Sequence, residues 1–98
     1  MRYNFEWDDR KAKANLRKHN VGFELAATIF RDPNLLSVPD EEHSESEERL
    51  ITIGLDETQS LLVLVHKLER ADQHVSIIRI ISARKATKGE TKTHEKGI

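Results

Sequence analysis

The sequence predicts an α+β fold, a small antiparallel sheet with helices packed on one face and a further helix at the C-terminus. Three observations point to it. Two helix-patterned stretches, DDRKAKANLRKH and FELAATIF, come before three β-prone runs, LITIG, SLLVLVHK and VSIIRIIS. Short polar segments, DETQ and RADQ, separate those runs as hairpin turns do, which gives a meander of three antiparallel strands. Helices that precede a meander can cover one face of it and leave the other open. At 98 residues the chain suits one domain, over 1–98, with a modest core.

Each element has its own signal. RYNFEW alternates Tyr3, Phe5 and Trp7 with polar residues, the period of a half-buried strand. Asp8 then opens a cationic helix, since its carboxylate can accept from the free amides of the first turn, and Asn20 or Gly22 can end it at positive φ. Phe23, Ala26, Ala27 and Phe30 recur at helical spacing and form a core stripe, broken by Asp32-Pro33. LLSV over 35–38 reads as a short strand that Pro39 ends or keeps at an edge. The acidic DEEHSESEER over 40–49 reads as a loop or short helical turn leading into LITIG, which ends at Gly54. The last segment, from Ala83 onward, has helix composition, with Ser82 as its N-cap and Gly89 as a weak point.

Composition removes several chemistries. Without cysteine there is no disulfide, thiolate zinc site or thiol nucleophile. The histidines lack zinc-site spacing, no HExxH pair exists, no glycine-rich phosphate loop is present, and His43-Ser44 has no nucleophile elbow around it. No metal or cofactor is expected. With no apolar run of about 18 residues and no signal-peptide h-region, the expectation is a soluble cytoplasmic protein with no membrane contact. The net charge of −1 conceals blocks of +3 over 1–20, −8 over 21–60 and +4 over 61–98. Such blocks fit either a basic and an acidic face or ordinary solvated surface.

The candidate site begins with Arg79, a guanidinium inside the isoleucine-rich run IIRIIS. If Ile78 and Ile80 face the helices, Arg79 faces outward. Arg49, His66, Arg79 and Arg84 lie in or beside neighbouring strands and could converge, although register is not readable from sequence. Arginines suit a phosphodiester because they stay charged and donate in pairs, and His43 or His66 could move a proton. The plainer readings are a salt bridge from Arg79 to Glu47, Glu48 or Glu69, and histidines at the surface.

These residues also carry a resemblance. The words FEWD (5–8), Lys11, Asn15, KHNVGF (18–23), Ala26, FRDP (30–33), Asp40, HS (43–44), EER (47–49), IG (53–54) and RIISARKAT (79–87) with Glu90 resemble the BrnT toxins of bacterial type II toxin–antitoxin systems. The resemblance covers roughly residues 5–90 and implies a RelE-like fold. It implies a ribonuclease that stops translation by cutting RNA without a metal, neutralised by a BrnA-like antitoxin with a ribbon-helix-helix domain, operator DNA being reached only through that antitoxin. Arg49, Arg79 and Arg84 become the foremost site candidates, with His43, Glu47, Glu48 and His66 behind them. The family often has a tyrosine near the end of its last helix, and here His94 takes that position, expected to face solvent. The rival reading is a non-catalytic binding module acting through its antitoxin complex in transcriptional autoregulation. Direct DNA binding is a weaker third, because the acidic block would repel phosphate.

Overall fold

The computed structural model describes residues 2–43 and 49–95. The chain runs β1 (Arg2–Glu6), α1 (Asp9–His19), α2 (Phe23–Ala27), β2 (Leu36–Pro39), β3 (Arg49–Leu55), β4 (Leu61–Arg70), β5 (Val75–Lys85) and α3 (Lys88–Glu95), with single 3-10 turns at Thr28–Arg31 and Glu41–His43.

Local chemistry explains most boundaries. Asp8 is extended and its carboxylate accepts from the amides of Arg10 and Lys11, while Asn20 takes the left-handed conformation that ends α1. The second helix is shorter than FELAATIF: after Ala27 it tightens into 3-10 geometry, where the Thr28 hydroxyl donates to the Leu25 carbonyl at 2.7 Å. Asp56 shapes the β3–β4 turn by accepting from the Thr58 and Ser60 amides, and Asp72 does the same for His74 and Val75 before β5.

Two expectations need correction. The sheet is mixed, in the order β1-β5-β4-β3-β2, because β1 pairs parallel to β5 while the other pairs are antiparallel. Its apolar side chains hold it there: Tyr3 and Phe5 lie 5.8 and 5.5 Å from the ring of Phe30. The last helix does not begin after Ser82. Residue 82 lies inside β5, and the helix starts beyond a capping box in which the Glu90 carboxylate accepts from the Thr87 amide at 2.8 Å and the Thr87 hydroxyl accepts from the Glu90 amide at 3.2 Å.

The core joins Val21, Phe23, Ala26 and Ile29 to Leu62, Leu64, Ile78, Ile80 and Ala83 of the two central strands. Packing is close enough that a Cβ at Gly54 would meet Ile29 at 3.3 Å. β1 ends opposite Arg79, and among the described residues no strand continues along that side of β5. Asn15 of α1 takes over there: its buried amide donates to the carbonyls of Ala83 and Val21 and accepts from the Ala83 amide. The β4–β5 ladder also carries a bulge, with Val65 opposite Ser82, His66 opposite Ile80, and Ile81 left without a partner.

Candidate active site

Directly opposed residues of a sheet share a face, so the register shows what stands together. Arg49 pairs with Lys67, Lys67 with Arg79, and Arg79 with Glu6. At roughly 4.8 Å per strand, these four residues form a line about 14 Å long across β3, β4, β5 and β1. The line lies on the side away from the core, because the neighbours Ile78 and Ile80 are buried there while Arg79 is exposed. Arg79 is both outward-facing and bridged: its guanidinium donates to Glu6 Oε1 at 3.2 Å. The partner is thus a carboxylate 73 residues away, on β1.

Next to this charged line is an apolar one, Val38, Ile51 and Val65 with Ser82, and beyond that Leu36, Ile53 and Val63 with Arg84. Rows two residues apart are separated by about 7 Å, which sets Arg84 about 13 Å from the Arg79 line. The two arginines share a face but not a position. The Arg84 guanidinium faces Glu90 with two hydrogen bonds of 2.8 Å, the fork geometry that suits a carboxylate. Those bonds raise the Arg84 pKa; they also lead the causes that hold the Glu90 carboxyl down at about 2, against a smaller opposing effect of burial.

His66 does not join the arginines. It lies on the core side with Leu62 and Leu64 and is 2% exposed, so its ring is out of reach of a substrate on the open face. Burial lowers its pKa, with a weak opposing bond to the Lys67 carbonyl. As a neutral imidazole with the proton on Nδ1 it completes a chain: Ser37 donates to Thr52 at 2.6 Å, Thr52 donates to His66 Nε2 at 2.7 Å, and Nδ1 faces the Lys67 carbonyl at 3.4 Å. Phe30 meets the ring edge-on at 5.2 Å.

His43 closes the 3-10 turn after Asp40, and its side chain, like Glu47 and Glu48 altogether, lies outside the described residues. The amide of Asp40 donates to the carbonyl of Arg49 at 2.8 Å, which holds Asp40 at the Arg49 end of the charged line. His94 is not solvent-facing. Its side chain is 10% exposed and Nε2 lies 3.3 Å from Asp32 Oδ2, tying α3 to the 3-10 turn and bounding a cleft of about 750 Å³ with Leu36, Leu55 and Leu61. Burial raises the Asp32 pKa, but hydrogen bonds from Leu55, Asn34 and His94 together outweigh it and leave the carboxyl low.

Glu6 and Lys67 are the site residues that sequence reasoning did not single out. Lys67 had a signal, since it alternates with His66, whose face is shared with Leu62 and Leu64; Glu6 had none without the β1–β5 register. Among the described residues no three His, Cys, Asp or Glu side chains come together as metal ligands, and no helix is long and apolar enough to cross a membrane.

A five-stranded mixed sheet with three helices and a line of cations on the sheet face away from the core defines a small α+β protein with a basic stretch of sheet surface. The chain belongs to the family of BrnT, the ribonuclease toxin of type II toxin–antitoxin systems, whose sequence profile matches residues 7–90. The fold is similar to that of the crystal structure of the Brucella abortus ribonuclease toxin, BrnT, with a TM-score of 0.64 at 19% identity, over 90% of this chain and 100% of that one. No curated protein sequence matches the chain.

Proposed function

We propose that the chain is a RelE-like endoribonuclease that cuts RNA without a metal ion, by attack of the RNA's own 2′-hydroxyl, and so arrests translation in the cytoplasm. The observation that carries this reading is the line Arg49, Lys67 and Arg79 on the open sheet face. Negative charge builds on the phosphate oxygens as a 2′-oxygen attacks phosphorus, and fixed cations aimed at those oxygens stabilise that charge more than the ground state. Arg84, two rows away, would meet a neighbouring phosphate of the same strand. The segment with His43, Glu47 and Glu48 runs directly into Arg49 and remains a source of proton-moving groups.

Membership of a toxin–antitoxin family supports an antitoxin as the cognate partner. We take it to be a BrnA-like ribbon-helix-helix protein that neutralises the toxin and links it to operator DNA. Expression of the chain alone should arrest growth and degrade cellular RNA, and Arg79→Ala combined with Arg84→Ala should abolish both in a protein that still folds. Toxicity that survives the double substitution overturns the reading.

A second reading, a non-catalytic module acting through its antitoxin complex in autoregulation, draws on the closed Arg84–Glu90 pair, which leaves that guanidinium already occupied. Purified protein that binds its antitoxin but leaves RNA intact across pH, with and without metal, favours this second reading.

A further inference from the structure

We propose that Glu6 is the general base of the cleavage, taking the proton of the attacking 2′-hydroxyl while Arg79 holds the phosphate; this rests on the reading of the chain as an RNA-cleaving enzyme. The reaction needs a proton acceptor within hydrogen-bond reach of a 2′-hydroxyl and beside the cation that grips the adjacent phosphate. In RNA those two groups are neighbours on one ribose, so acceptor and cation must be neighbours on the protein. Glu6 and Arg79 are opposite one another in the β1–β5 register and touch at 3.2 Å.

The other groups on the page fit less well. His66 is enclosed in the core with its Nε2 already accepting from Thr52. Glu90 is gripped through both oxygens by Arg84, with the Thr87 amide adding a bond, which makes it a weak base and a structural tie. Asp32 is buried under α3 and held by three partners. Glu69 shares the open face but pairs with Ile77, one row outside the charged line. Glu6 is half-exposed, and a single bond engages it through Oε1, so among the described residues Oε2 is open to an incoming hydroxyl.

The chemistry balances without an external reagent. Glu6 accepts the 2′-proton as the 2′-oxygen–phosphorus bond forms, the phosphorus–5′-oxygen bond breaks, and the departing 5′-oxygen takes a proton from water. Glu6 then returns its proton to solvent. The products are a 2′,3′-cyclic phosphate and a 5′-hydroxyl, with no change of oxidation state.

The test is single-turnover cleavage of a short single-stranded RNA by the full chain across pH 4 to 9, with the cyclic phosphate end identified. Binding is measured separately, on the same RNA carrying one 2′-deoxy nucleotide at the cut. Glu6→Gln keeps a hydrogen-bond acceptor for Arg79 but cannot take a proton. It should cut the rate by about 100- to 10,000-fold and remove the acidic limb of the pH profile, while binding stays within about twofold. Glu69→Gln should leave rate and profile unchanged. Unchanged rate and profile in Glu6→Gln overturn the assignment of Glu6 and leave the nuclease reading standing, as does an acidic limb that disappears in Glu48→Gln instead. An equal loss in Glu69→Gln would reduce Glu6 to a general charge effect and overturn it too. If the unsubstituted protein leaves RNA intact, the nuclease reading fails and Glu6 fails with it.

Discussion

Arg84 and Glu90, six residues apart, face each other across the turn from β5 into α3 with two hydrogen bonds of 2.8 Å. The pair ties the start of the last helix to the end of the central strand.

The tie has a pH signature. Glu90 titrates at about 2 in the fold against an ordinary 4.5, so its stabilisation is fully present above pH 4.5 and is lost as pH falls through about 2. The pair is partly exposed, so solvent screening leaves about 1 kcal/mol rather than the full linkage value. Glu90→Gln should lower unfolding free energy by about that amount at pH 7, and the gap to the unsubstituted protein should close between pH 5 and pH 2 in urea titrations.

His66 acts at higher pH. Its folded pKa is depressed by burial, so its neutral form contributes stability that is present above 6.5 and lost as pH falls through the folded value. Between those two values the unfolded chain binds more protons, and stability rises with pH. Thr52→Val removes the donor to Nε2 and leaves that nitrogen buried and unpaired. The expected cost is about 1 to 3 kcal/mol by chemical denaturation at pH 7.5.

Asn15 closes the side of β5 that β1 does not reach. Asn15→Leu would strand both the amide and the carbonyl of Ala83 in the interior, a loss of about 2 to 4 kcal/mol. Amide exchange should show more than a global effect. The Ala83 amide should lose protection beyond the fall in global stability, while the β3–β4 ladder follows the global value.

Lys67 sits between Arg49 and Arg79, and on the proposed function it meets RNA phosphate. Lys67→Ala should weaken binding to all single-stranded sequences alike and reduce the slope of log affinity against log salt by about 0.7. An unchanged salt slope would remove Lys67 from the phosphate contacts.

Much of this architecture is legible from local signals. Asp8, Asn20, Asp56 and Asp72 each act within a few residues, and each stands where its chemistry places it. Thr87-Lys-Gly-Glu90 was also a readable capping box, but the strand-to-helix composition around Ser82 competed with it. What could not be read was long-range. No local pattern sets β1 alongside β5, so neither the mixed sheet nor the Glu6–Arg79 contact could be anticipated. The facing of Arg49 and Lys67 depended on register in the same way. His66 was readable in part, since its companions Leu62 and Leu64 are apolar and the core claims all three.

The unmatched Ile81 determines something that no side chain there does. Counting along an unbroken strand, residues 79 and 84 differ in parity and would point in opposite directions; one extra residue in the count brings both arginines out on the same side. The facing of Arg84 therefore depends on that bulge more than on the composition of the stretch. Exchanging Ile81 for another β-branched residue should be tolerated. Deleting it would set the two arginines four positions apart on a regular strand, so Arg84 should keep its side and its bond to Glu90, whereas ironing the bulge out with Ile81 retained would turn Arg84 toward the interior.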